Sequence, residues 1–316
     1  MNSEILLETK GLKKYFTTKK GDLHAVDDVS LFIRKGETLG LVGESGCGKS
    51  TFGRTVIRLL DPTAGQIMFD GVDITKLNSK QIRNIRSKIQ IVFQDPYASL
   101  DGRKSIFESI GEPLRLQKTF SNKDDYIKRV YELMDIVGLA KRFANAYPHE
   151  LDGGRRQRVG IARAIATNPL FMVLDEPVSA LDVSIQAQIL NLLMELQREL
   201  GFTYLFISHD LSVVKHISSR IAVMYLGKIV ELADYRELFS NPIHPYTQAL
   251  LSAVPVPKID IERHGIILEG DVSSPINPKP GCRFASRCHN CCGDKCYSKT
   301  PDLRKVASDH YVACYL

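Results

Sequence analysis

Gly43-Glu44-Ser45-Gly46-Cys47-Gly48-Lys49-Ser50-Thr51 decides the fold. The stretch fits the phosphate-loop spacing G-x-x-x-x-G-K followed by Ser or Thr. It follows the apolar run Leu39-Gly40-Leu41-Val42 and leads into a helix-compatible segment beginning near Thr51. Glycines in such a loop let successive backbone N–H groups close around phosphate oxygens, and the helix N-terminus adds positive potential. Lys49 is placed to reach the β- and γ-phosphates and the Ser50 hydroxyl to ligate Mg²⁺. A glycine-rich turn that binds nothing is the competing reading. The strand before the loop and the helix after it decide for nucleotide binding.

At 316 residues the chain is long enough for one large α/β domain with an appendage. Charged residues make up 25% and apolar residues 44%, ordinary for a globular protein. The net charge of +6 suits an anionic ligand or a membrane-adjacent surface and does not demand nucleic acid. No apolar run approaches the roughly 18–20 residues of a membrane span. The start Met1-Asn2-Ser3-Glu4 lacks a signal-peptide pattern, so a cytoplasmic location is expected. Six of the seven cysteines fall between Cys282 and Cys314. In a reducing compartment that clustering argues for a metal or cluster site rather than disulfides, and it marks the segment as a separate unit.

Residues 4–42 read as short strands with turns at Lys19-Lys20-Gly21-Asp22 and Lys35-Gly36, and 64–75 as a hairpin. Ile89–Phe93 reads as a strand ending at Gln94, and the pattern from Ser99 to Asn168 is helical. Leu170–Leu174 reads as a buried parallel strand. A helix over 183–200 carries Ile185, Ile189, Leu192, Leu193, Leu196 and Leu200 at helical spacing, and Thr203–Ser208 is another buried strand. Pro255, Pro257, Pro275, Pro278 and Pro280 mark a linker before the cysteine segment.

Asp175-Glu176 ends the buried strand, where ligand groups gather in open α/β sheets. A carboxylate there holds Mg²⁺ and a second orients the attacking water; Asp175 takes the first role and Glu176 the second. Gln94 and His209 each end a predicted strand and are candidates for the γ-phosphate side. Tyr15, or alternatively Phe16, is a candidate for stacking on adenine.

Together these residues resemble the ATP-binding subunits of ABC transporters, from about residue 5 to the end of the chain. Tyr15 matches the adenine-stacking aromatic, 43–51 the Walker A loop and Gln94 the Q-loop glutamine. Asp175-Glu176 matches Walker B with its catalytic glutamate, Ser179-Ala180-Leu181-Asp182 the D-loop, and His209 the switch histidine. The resemblance implies an α/β P-loop NTPase core of RecA-like type, an antiparallel β subdomain, an α-helical subdomain at about 98–166 and a small cysteine-rich extension. It implies an ATP-binding domain over 1–250 and an extension over 251–316. It also implies that Gly43, Ser45, Gly46, Cys47, Gly48, Lys49, Ser50 and Thr51 bind ATP, with Mg²⁺ on Ser50, Gln94 and Asp175. Catalysis would rest on Glu176, His209, Gln94 and Lys49.

Three stretches resemble the oligopeptide and dipeptide importer branch: Gln94–Leu100, Asp182–Gln188 and His244–Leu251. That branch implies a homologous but distinct ATPase partner, two transmembrane permease subunits and an extracytoplasmic binding protein, with this chain peripheral on the cytoplasmic side of the membrane.

The family signature Leu-Ser-Gly-Gly-Gln reads Leu151-Asp152-Gly153-Gly154-Arg155 here. In the family the serine donates to the γ-phosphate held by the other subunit. An ionised Asp152 only accepts, and its charge beside a triphosphate is repulsive, by several kcal/mol at an effective dielectric of about 20. Aspartate also caps helix N-termini at least as well as serine, and pairing with Arg155 or Arg156 would soften the effect. Impairment of the site that uses Asp152 is the expectation, because loss of a donor at an electrostatic site is costly. The signature Asp152, Gly153 and Gly154 still count among the ATP-facing residues.

Thiolates at the density of the C-terminal segment suit Zn²⁺ or an iron–sulfur cluster. Peptide-importer ATPases carry a similar tail of four spaced cysteines, in some members with a 4Fe–4S cluster. By position Cys282, Cys288, Cys296 and Cys314 match. The loop before Cys296 is one residue longer, so Cys291 or Cys292 are substitutes.

The expected function is ATP hydrolysis that energises peptide import, with no nucleic-acid partner. Import of nickel or a metal chelate is the nearest alternative. A non-transport ABC ATPase is a further one, but the long coiled-coil insertions or paired cassettes of such proteins are missing from this sequence. Asp175, Glu176 and His209 argue against a purely regulatory subunit.

Overall fold

A computed structural model describes residues 4–254, 266, 268 and 273–316. Pro255 and Pro257 of the expected linker, and residues 1–3 of the N-terminus, lie outside the described residues. The chain forms two compact units that alternate along the sequence. One holds residue 4, 34–37 and 76–205; the other holds 5–33, 38–75 and the described residues from 206 to 316.

In the unit containing 76–205, the strands Ile89–Val92 and Phe171–Asp175 pair in parallel, with Val92 opposite Leu174. Every residue of Phe171–Asp175 is buried, as an apolar run in a parallel strand requires. Around this pair lie the helices Ile106–Leu116, Lys123–Ile136, Gly153–Ile165 and Val183–Leu200. The first opens with a reciprocal cap between Ser105 and Glu108, and it buries Ile106, Ile110 and Leu114 along one face. The last is capped by Asp182, whose side chain accepts from the Ile185 N–H at 2.9 Å, and closes at Gly201 with φ 69°. It buries Ile189, Leu192, Leu193 and Leu196, whereas Leu200, expected on the same stripe, is exposed at the helix end. The short helix Ser79–Ile85 has no buried residue and left no apolar period to read.

In the other unit, Ile5–Thr18, Gly21–Arg34, Ala64–Phe69 and Val72–Asp73 form a four-stranded sheet, with Leu7 opposite Phe69. The first two strands run 14 residues each rather than the short segments expected. A second group of strands runs in the order Arg304–Ala307, His310–Val312, Lys228–Asp234, Arg220–Tyr225 and Thr38–Val42. Thr38–Val42 is parallel to Arg220–Tyr225, with Val42 opposite Val223, and so presents residue 43 at the carboxyl end of a buried strand. His310–Val312 pairs with Lys228–Asp234, placing Val312 opposite Glu231. The cysteine-bearing segment therefore belongs to the same compact unit as residues 43–51. Its outermost strand, Arg304–Ala307, is exposed throughout and carries Arg304 and Lys305, charges that blunt an open edge. Thr203–Ile207 carries the chain from the first unit into the second. Among the described residues no helix is long and apolar enough to cross a membrane.

Candidate functional site

The loop after Thr38–Val42 needs its glycines for space. At Gly43 (φ 153°) a Cβ would lie 2.1 Å from the Met224 carbonyl oxygen, and at Gly48 (φ 109°) 2.0 Å from that of Ala25. The helix Lys49–Val56 begins directly behind Gly48, which provides no side-chain cap, so its first N–H groups serve the loop. Lys49 is buried, and its Nζ donates to the carbonyls of Gly43 at 2.8 Å and Glu44 at 2.9 Å. Ser45 and Gly46 are exposed, with Ser50 and Thr51 half-buried beside them. A tight backbone cradle, a helix start and one ammonium fit a polyphosphate, and Ser50 fits Mg²⁺. Cys47 is a buried wall of this loop; burial pushes its thiol up despite the nearby Lys49.

Tyr15 stacks on His24, with ring centroids 3.7 Å apart and planes at 15°. Its hydroxyl donates to Asp27, which also pairs with Arg283 and Lys228. Burial and the Asp27 hydrogen bond raise the Tyr15 phenol well above its usual range. The Asp27 N–H donates to Gly227 O (2.8 Å), and the Gly227 N–H donates to Cys47 O (2.7 Å). Hydrogen bonds thus connect the aromatic to the phosphate loop. The alternative, Phe16, has the Lys14 ammonium 4.9 Å from its ring centroid. His209, in the same unit, is exposed next to Asp210, which caps the helix Leu211–Ile217.

In the unit containing 76–205, the strand ends bring two expected residues together. Gln94 Nε2 donates to Glu176 Oε2 at 3.2 Å. Asp175 is fully buried at the last position of its strand. Glu176 follows in the left-handed region, φ 49°, a conformation that costs a non-glycine residue about 1 kcal/mol or more and clusters at functional sites. The turn also aims its carboxylate toward Gln94.

At the signature, Asp152 is the N-cap of Gly153–Ile165. Its carboxylate accepts from the Arg155 N–H at 2.8 Å and from Arg155 Nη1 at 2.7 Å. Both side chains are about half exposed, so the ion pair itself adds little. Arg156 turns elsewhere, its Nε donating to Pro148 O at 2.8 Å and its guanidinium lying over Tyr97. Gly154 has its own reason: a Cβ there would meet Ile185 Cγ2 at 2.7 Å.

The C-terminal segment brings Cys282, Cys288, Cys296 and Cys314 to one small cavity, together with Cys292 and His244. Burial raises the Cys282 thiol to about 11 and also raises Cys288, with the neighbouring thiols adding to both. No cysteine is in a disulfide. Among the described residues no group of three or more His, Cys, Asp or Glu side chains is arranged to hold a metal ion. His244 is buried; its Nδ1 accepts from the Tyr246 N–H at 3.1 Å, so the neutral ring carries its proton on Nε2. Among the described residues that Nε2 has no partner.

Residues outside the expected set tie this segment to the phosphate loop. Arg287 Nη1 donates to both Glu44 carboxylate oxygens, at 3.2 and 3.0 Å. Tyr246 Oη accepts from the Glu44 N–H at 2.9 Å. Arg283 and Arg287, four residues apart and lying between Cys282 and Cys288, are the signal available in sequence. No residue number at that spacing announces its partner.

The ABC transporter family model matches residues 26–179, and the model of the oligopeptide/dipeptide transporter C-terminal region matches 230–296. The oligopeptide transport ATP-binding protein AppF of Bacillus subtilis is 52% identical over 325 residues, covering 100% of this chain and 98% of that protein. OppF of the same organism is 55% identical over 313 residues, covering 99% and 97%. Among solved structures, the ATP-binding cassette MJ0796 bound to ADP and phosphate superposes with TM-score 0.68 at 31% identity, covering 73% of this chain and 99% of that one. CbiO1 from Clostridium perfringens, part of an ABC transporter complex, gives TM-score 0.67 at 28% identity, covering 75% and 92%. The fold is that of the ABC ATPase cassette, a P-loop NTPase with a minor cysteine-rich addition. With intact phosphate-binding and strand-end motifs and relatives matched along its full length, the chain belongs to the ATP-binding, ATP-hydrolysing subunits of ABC transporters, in their oligopeptide/dipeptide branch.

Proposed function

We propose that this protein hydrolyses ATP to energise import of oligopeptides or dipeptides across the cytoplasmic membrane. The observation that carries the cargo class is the oligopeptide/dipeptide transporter C-terminal region on a cassette whose curated relatives are named for oligopeptide transport. The protein lies peripherally on the cytoplasmic face beneath two permease subunits, fed by an extracytoplasmic binding protein. Residues 1–250 are its ATP-binding domain, with 98–166 as the helical subdomain facing the permeases, and 251–316 its extension. Tyr15 takes adenine, 43–51 the phosphates, and Ser50, Gln94 and Asp175 the magnesium. Glu176 activates water, assisted by His209.

Its partner in the ATPase pair is a distinct homologue, and the pair is asymmetric. Asp152 already accepts the Arg155 N–H and carries no donor for a γ-phosphate. The site using this chain's phosphate loop and the partner's signature turns over; the site using Asp152 binds ATP and turns over slowly. Cys282, Cys288, Cys296 and Cys314 would hold a 4Fe–4S cluster, with zinc as the alternative, once drawn closer together than they stand here, where the described residues form no metal-holding group. Their convergence on one cavity supports the assignment.

ATPase activity of the reconstituted transporter, with the binding protein loaded by peptide or by a nickel chelate, tests the cargo. Stimulation by peptide supports the reading, and stimulation by the chelate alone replaces it. Iron and acid-labile sulfide in anaerobically purified protein test the cluster; a folded protein free of metal and sulfide rejects it.

A further inference from the structure

Glu44 is the first variable residue of the phosphate loop, and it is held at three points. Its N–H donates to Tyr246 Oη, its carbonyl accepts from Lys49 Nζ, and its carboxylate is gripped by Arg287. Two of those three grips come from the C-terminal third of the chain. Arg287 sits in the turn Ala285–Arg287 between Cys282 and Cys288. That turn is anchored by Phe284, fully buried, with its ring centroid 5.2 Å from that of Tyr225 and 5.3 Å from that of Tyr246. Tyr225 Oη also accepts from Arg287 Nη1, at 3.4 Å. The Tyr246 arm is fixed by buried Glu231, which accepts the N–H groups of Ile243 at 2.8 Å and His244 at 3.1 Å.

A carboxylate inside a phosphate-binding loop is an electrostatic liability. It adds a negative charge to a loop that must attract phosphate oxygens, and unlike a charge on the outer surface it is held in place by its neighbours. The Arg287 side chain is 8% exposed and the Glu44 side chain 29%, so solvent screens their pairing only in part. We propose that Arg287 is a positioning residue of the ATP site, neutralising Glu44 and fixing the phosphate loop from the cysteine-bearing segment. The segment thereby becomes part of the nucleotide site rather than an appendage to it. The inference rests on the reading of residues 43–51 as the phosphate-binding loop.

The test is a charge-rescue cycle on the full chain, read as the Kd for ATP by calorimetry. Arg287→Met keeps the volume and removes the charge; it raises the Kd about tenfold, as expected for one uncompensated charge near the phosphates, and less for AMP than for ATP. Adding Glu44→Gln to Arg287→Met removes the uncompensated charge and brings the Kd to within about threefold of the Glu44→Gln single variant, whatever that variant's own Kd. Arg287→Lys, which keeps the charge, stays near the wild type and guards against a fold defect in the methionine variant. An Arg287→Met Kd equal to the wild type overturns the proposal. So does a weakened Arg287→Met that Glu44→Gln fails to rescue, since a packing role would lose affinity in both backgrounds. Failure of the wild-type chain to bind ATP would instead reject the nucleotide-site reading.

Discussion

Gln94 Nε2 donates to Glu176 Oε2 across 3.2 Å, joining the end of one parallel strand to the end of its neighbour. That hydrogen bond fixes the orientation of the carboxylate, which a general base needs. Glu176→Gln is expected to leave the Kd for ATP unchanged and lower kcat of the assembled transporter by roughly 10²–10⁴. Gln94→Glu is more telling. It replaces the donor by a second carboxylate, so the hydrogen bond that orients Glu176 becomes a like-charge contact, and kcat should fall further than in Gln94→Ala. Equal kcat for the two variants would show that the two side chains are apart during turnover.

Asp152 separates two effects that one substitution usually confounds. Its carboxylate caps the helix Gly153–Ile165, so Asp152→Ala should cost about 1 kcal/mol of stability. Asp152→Ser keeps a capping oxygen and adds a hydroxyl donor, so stability changes little. If the pair is asymmetric because of this residue, Asp152→Ser raises turnover at the slow site while Asp152→Ala does not. Single-turnover measurements with the partner's phosphate loop intact and this chain's Lys49 replaced isolate that site. Equal rates for all three forms would sink the asymmetry.

Much of this architecture was written in local patterns. Phe171–Asp175 is apolar up to its carboxylate, and 43–51 is a loop whose glycines have no substitutes, so both could be read without neighbours. The C-terminal strands could not. Arg304–Ala307 is exposed throughout and lacks alternation, and it becomes a strand only because His310–Val312 lies beside it. Arg287 and Glu44 are 243 residues apart, and no period or spacing connects them. Motifs that close within a few residues are legible; an ion pair made by tertiary packing is a property of the folded chain alone.

The cysteines should react in a defined order. Alkylation requires thiolate and access. Cys292 is exposed, whereas burial raises Cys282 to about 11 and Cys296 is buried. Iodoacetamide at pH 8 is expected to label Cys292 well before Cys282 or Cys296 in protein stripped of metal, with mass spectrometry reading each site. Early labelling of Cys282 would mean that the segment does not hold the packing around Phe284 without its thiols ligated.

Asp27 gives the acid dependence. Burial alone would raise its carboxyl, but the Tyr15 hydroxyl and the charges of Lys228 and Arg283 outweigh that and lower it below its ordinary value. A carboxyl lowered on folding contributes stability that is fully present above its unfolded pKa of about 4 and is lost as pH falls through the folded value. Asp27→Asn removes the contribution and leaves Arg283 and Lys228 short of a counter-charge, so the variant should be about 2 kcal/mol less stable at pH 7. Between pH 7 and 5 Asp27 is ionised in the folded and the unfolded chain alike, so its own carboxyl adds no pH dependence to the difference there. Below about pH 4 the wild-type carboxyl takes up its proton and the difference shrinks. Urea unfolding across this range reads the difference directly. A gap that persists unchanged below pH 4 would place the variant's cost in packing around Tyr15 rather than in charge.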